Sequence, residues 1–183
     1  QIGQHVYPVP RLDKGTCGVL VMGLHPAATR ALAGAFAAHA VRKQYLALVR
    51  GWAPEAVEVD HALKPDDAAA DAAVQAAHTR FRRLARLTLP EASDARFATT
   101  RASLVQAEPT TGRRHQIRRH LKHLAHPIIG DATHGKGIHN RLFQTQFGCN
   151  RLLLACTQLC FRHPVDGSDL RIRAPLDEAF ANV

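Results

Sequence analysis

Apolar and polar positions along the chain divide it into short segments of two periods. Residues 18–24 (GVLVMGL) form an apolar run between glycines and predict a buried strand. Pro26 then opens PAATRALAGAFAAHAV, where Leu32 and Phe36 recur at helical spacing and proline suits the first helical position. Residues 43–50 (KQYLALVR) predict a strand closed by Gly51. Residues 79–89 and 99–107 alternate in part and predict a strand pair, with a turn over 91–97. The stretch 113–125 (RRHQIRRHLKHLA) predicts a helix with Ile117, Leu121 and Leu124 on one stripe and Pro127 at its end. Residues 151–162 predict a buried strand, and Pro175 a short terminal helix.

Strands outnumber helices in this order. The pattern predicts one α+β domain over 1–183, with helices packed on a mixed, largely antiparallel sheet. Pro65 to Ala77, rich in Ala and Asp without a large apolar face, predicts a mobile surface insertion.

Composition narrows the function. The 183 residues are 46% hydrophobic but only 5% aromatic, so the core must rest on Leu, Val, Ile and Ala. The formal net charge of +9 points to a polyanionic partner, nucleic acid first and an anionic membrane surface second. No run is long enough to span a bilayer as a helix. Cys17, Cys149, Cys156 and Cys160 do not form a disulfide framework, and they predict reduced thiols in a cytoplasmic protein. The first ten residues contain no Met, which predicts that a native N-terminal segment precedes them.

Three segments carry candidate chemistry. In RLDKGTCG, Asp13 stands between Arg11 and Lys14 in a tight polar loop. A neighbouring cation favours the ionised carboxylate, which can act as a nucleophile, although on local spacing alone a turn-forming Asp is the simpler reading. In KQYLALVRG, Tyr45 is a catalytic candidate or a packed core aromatic. In TGRRHQIRRHLKH, cations and histidines cluster with no acid between Glu108 and Asp131. Arg113 and Arg114, placed at a helix start against its dipole, predict phosphate binding. His120, His123 and His126 raise a zinc site, but their spacing diverges around a helix and no further ligand completes a set. No phosphate-cradling glycine loop or dinucleotide fingerprint is present, so no cofactor and no metal are expected.

In this order and at this spacing, the three segments resemble the RluA-type pseudouridine synthases. RLDKGTCG is similar to that family's H-R-L-D-x-x-T-S-G, KQYLALVRG to its Tyr motif, and TGRRHQIRRHL to its G-R-x-H-Q-[IL]-R. Pro10 stands where the family usually has His, and Cys17 where it usually has Ser. The family also has an N-terminal strand region ahead of Tyr7. The stretches 120–143 (HLKHLAHPIIGDATHGKGIHNRLF) and 147–156 (FGCNRLLLAC), His134 through Arg141 above all, are similar to a branch that modifies uridine 65 in the T stem of bacterial tRNA.

The resemblance implies an isomerase acting on structured RNA as a cytoplasmic monomer without a membrane. It implies Asp13 as nucleophile, Tyr45 packed on the uracil, and Arg118 paired with Asp13. Arg11 would fill the stack left by the flipped base, and Ile117 would be an apolar neighbour in the pocket. Arg113, Arg114, His115 and Gln116 join Arg11 and Ile117 as RNA-binding residues. A family member acting on ribosomal RNA and a non-catalytic RNA-binding domain are the alternatives.

Overall fold

The protein is described by a computed structural model over residues 3–9, 12–65 and 72–183. Pro10, Arg11 and residues 66–71 of the Asp/Ala-rich stretch expected to be an insertion lie outside the described residues, while Gln75 of that stretch pairs with Leu63 and Ala77 is buried. The elements are β1 (Tyr7–Pro8), β2 (Cys17–Gly18), β3 (Met22–Gly23), α1 (Pro26–Ala37), β4 (Arg42–Arg50), β5 (Ala56–Asp60), β6 (His78–Leu89), β7 (Thr100–Pro109), α2 (Gln116–His123), α3 (Gly137–Phe147), β8 (Leu154–Arg162), β9 (Asp169–Arg173) and α4 (Glu178–Ala181).

The main sheet runs β2-β8-β4-β7-β6-β5, with β9 pairing β8 beyond the end of β2. Among the described residues, only the short β2–β8 pairing is parallel. This is the expected α+β architecture. Alternation along β4 assigns its residues to two cores. Ala47 and Val49 pack with Val105, Ala107, Phe81 and, from α2, Ile117 and Leu121. Leu48 faces the other way, onto Ala102, Leu89 and Phe143 of α3. A third cluster joins Leu32 of α1 to Val19, Cys156 and Leu159.

Two expectations need correction. Residues 18–24 are not one buried strand. They contribute two-residue pieces to different sheets, and Leu20, Met22 and Leu24 are exposed. The positive φ of Gly18, +104°, turns the chain away from β8 before a longer ladder can form. The basic helix starts at Gln116, not Arg113, because His115 holds a left-handed φ of 55°. Ala125, with φ 61°, ends the helical turn before Pro127 is reached. Strands β5 and β9 and helix α3 are additions to the sequence reading, and the terminal helix begins three residues after Pro175. Among the described residues, no helix is long and apolar enough to cross a membrane.

Candidate active site

The Asp13 loop is held by its own backbone and by β8. The Thr16 amide donates to the Asp13 carbonyl at 3.0 Å, and Gly15 takes a φ of 89° to close that turn. Cys17 and Gly18 then pair with Ala155 and Cys156. A Cβ on Gly18 would lie 2.0 Å from the Cys156 carbonyl oxygen, so only glycine lets the loop come this close to the sheet.

A β-bulge aims the opposite wall. Gln44 pairs with Gln158 and Tyr45 with Cys156, leaving Thr157 as the extra residue of β8. The bulge reverses the alternation of β8, so Leu154, Cys156 and Leu159 all face the side to which β4 sends Lys43 and Tyr45. Together with the Asp13 loop they enclose a cavity of about 550 Å³. Asp13, Tyr45, Arg113, Arg114, His115, Gln116 and Ile117 all line it, so seven of the candidate residues converge from three separate segments.

Burial dominates the electrostatics here. It raises the pKa of Tyr45, helped by the Cys156 thiol that shares a hydrogen bond with the phenol and by the charge of Asp13. The phenol therefore stays protonated. Burial pushes the Cys156 thiol up to about 11 despite that hydrogen bond. Burial also lowers the pKa of Lys43, whose ammonium donates to the Thr111 carbonyl at 3.0 Å.

Gln116 fixes the basic loop. Its carboxamide oxygen accepts from the Thr111 hydroxyl (2.8 Å) and the Arg113 amide (2.9 Å). Its nitrogen donates to the His78 carbonyl (2.9 Å) and the Thr79 hydroxyl (3.0 Å). These four bonds use the full capacity of the amide, so Gln116 clamps the loop to the start of β6. Arg113 adds a bond from Nε to the Ala76 carbonyl, and the His115 and His134 rings meet at 3.1 Å.

Arg118 is placed against Asp131. Its Nε and Nη2 each donate to the Asp131 carboxylate at 2.8 Å, and it does not line the cavity among the described residues. The Nε–Nη2 edge of the guanidinium is taken by Asp131, in the loop that follows α2, and not by Asp13. Burial by itself would raise the pKa of Asp131. The bonds from Arg118 and the amides of His134 and Thr133 outweigh it and hold the carboxyl below its ordinary value.

The histidines of α2 are structural. His120 is buried between the Thr79 hydroxyl and the His61 carbonyl, each at 3.0 Å, and His123 stacks on His61 at 4.2 Å between ring centroids. Arg11 lies outside the described residues. Sequence reasoning missed Lys43 and Cys156. Lys43 was detectable, two residues before Tyr45 on the same strand face. Cys156 was not, because it meets Tyr45 only through the pairing of β4 with β8.

Comparison with known proteins agrees with this geometry. A family model described as RNA pseudouridylate synthase matches residues 2–123. The chain is similar to tRNA pseudouridine synthase C of Vibrio cholerae, with 47% identity covering 98% of this chain and 76% of the relative. It is also similar to tRNA pseudouridine synthase C of Salmonella typhi, with 45% identity covering all of this chain and 73% of the relative. Among solved structures, Human RNA Pseudouridylate Synthase Domain Containing 1 superposes with a TM-score of 0.74 at 26% identity, over 94% of this chain and 69% of that one. The family match spans both the Asp13 loop and the basic loop that close one cavity, and the chain therefore belongs to the RNA pseudouridylate synthases, a family of isomerases.

Proposed function

We propose that the chain isomerises a uridine of tRNA, uridine 65 of the T stem, with Asp13 as the nucleophile. One observation carries the reading: a carboxylate, a protonated phenol and a clamped arginine loop line a single cavity large enough for a nucleotide. The names of the relatives supply the RNA class.

The reaction breaks the bond from N1 of uracil to the anomeric carbon and forms one from C5. N1 regains a proton and C5 loses one, so no electrons are exchanged. Asp13 attacks either the ring or the anomeric carbon. Tyr45 packs against the detached base and holds it with a phenol that keeps its proton. Arg113, which shares the cavity with Asp13, takes the electrostatic role first expected of Arg118, and with Arg114 and His115 it binds the phosphates. Gln116 and Ile117 shape the pocket wall. Arg11 fills the stack opened by flipping the base, which offsets part of an unstacking cost of a few kcal/mol. Arg118 serves by bracing α2 against Asp131. The enzyme acts as a cytoplasmic monomer.

Tritium release from tRNA labelled at uracil C5 tests this. The wild type releases tritium, and Asp13→Ala binds tRNA within about twofold of wild type but releases none. Turnover by Asp13→Ala overturns the assignment of the nucleophile. Mapping the product to a position other than 65 overturns the site.

A further inference from the structure

The crossover from β4 to β5 carries an exposed tryptophan that the catalytic cavity does not use. Trp52 is 39% exposed, and its indole nitrogen donates to the Leu87 carbonyl at 3.3 Å, which tethers the ring to β6. Two guanidinium groups stack on it, Arg101 at 4.1 Å and Arg86 at 5.2 Å from the ring centroid. Neither arginine has an ion-pair partner among the described residues. Glu55 is the one carboxylate on the crossover, and it too is exposed and has no ion-pair partner among the described residues.

The register puts this group on the same sheet face as the catalytic cavity. Tyr45 pairs with Ala107 and Val49 with Ser103, so alternation on β7 sends Ala107, Val105, Ser103 and Arg101 to one side. Arg86 pairs with Ser103 and joins them there, after the bulge between Arg83 and Ala85. Six residues of strand separate Arg101 from Ala107, or about 20 Å along β7.

Stacking uses the face of a guanidinium and leaves its edge donors pointing outward, in the fork that fits a phosphate. A chain that carries +9 and acts on RNA thus presents a rigid pair of phosphate donors remote from its chemistry. We propose that Trp52, Arg86 and Arg101 form a second RNA contact, which grips the phosphodiester backbone of the folded RNA about 20 Å from the flipped uridine. This inference rests on the RNA-modifying reading above.

The test compares wild type with Arg86→Gln/Arg101→Gln, both exposed changes that spare the core. Each is titrated with intact tRNA across a range of salt and assayed for tritium release. The expected result is a Kd and KM raised about tenfold, kcat unchanged, and a salt slope shallower by about two, one for each lost phosphate contact. Trp52→Phe, which retains a stacking face, keeps near-wild-type affinity, whereas Trp52→Ala weakens binding. Unchanged affinity and slope in the double variant overturn the proposal, as does a fall in kcat with KM unmoved. Absence of pseudouridine with the wild type counts against the functional reading instead, and the binding titration still decides the second contact.

Discussion

Arg118 and Asp131 form a two-bonded ion pair, both contacts 2.8 Å long, with the two residues only 5% and 2% exposed. The Asp131 carboxylate also accepts the amides of Thr133 and His134. It ties the helix that lines the cavity to the loop that follows it. Removing one partner leaves a buried charge uncompensated, so Arg118→Ala costs about 3–5 kcal/mol of folding stability. Arg118→Met/Asp131→Leu costs less than either single change. Denaturant unfolding checks both, and a double variant less stable than the singles contradicts the bracing role.

Gly18 occupies a position that no side chain fits. An added methyl would meet the Cys156 carbonyl oxygen at 2.0 Å, with the backbone already at a φ of +104°. Gly18→Ala therefore destabilises the fold by about 3 kcal/mol and moves the Asp13 loop, which lowers kcat more than RNA affinity. Thermal unfolding together with single-turnover kinetics separates the two effects. Wild-type kcat in a folded Gly18→Ala enzyme would show that the loop position is immaterial.

Gln116→Met preserves volume and removes four hydrogen bonds at once. Their buried partners are left short of bonds, at a cost of about 2–3 kcal/mol. The Arg113 backbone loses its anchor, so tRNA affinity falls severalfold while the Asp13 chemistry persists. A binding titration with full tRNA settles it, and an unchanged Kd refutes the clamp.

Acid should weaken the protein through its histidines. Burial lowers the pKa of His120, and the neighbouring His61, His123 and His78 lower it further, against a raising contribution from its bond to the His61 carbonyl. His134 and His139 are shifted down as well, burial again the largest cause. The unfolded chain then binds more protons than the folded one below the ordinary histidine value of about 6.5. Stability is full above that pH and declines as pH falls through the lowered folded values. Unfolding midpoints measured from pH 8 to 5 reveal the slope, and His120→Gln makes it shallower. Asp131 acts in the same direction at lower pH, since its depressed pKa stabilises the fold above the unfolded carboxylate value and that contribution disappears as pH falls through the folded one.

The local signals in the sequence identified α1, β4, β6, β7 and the α+β class, and the residue types of the site. Proline at a helix start, alternation along strands and a cluster of cations without acids are all properties of neighbours in the chain. They held wherever a segment's own period decided its structure. Residues 18–24 failed because two-residue pairings with different partners override an apolar run, and the start of α2 shifted because His115 is left-handed. The convergence of Asp13, Tyr45 and Arg113 on one cavity, the meeting of Tyr45 with Cys156 across a bulge, and the pairing of Arg118 with Asp131 instead of Asp13 belong to tertiary structure alone. Composition names which side chains can ionise or donate. Which of them meet depends on strand register and close packing, and those are decided by contacts between residues far apart in the chain.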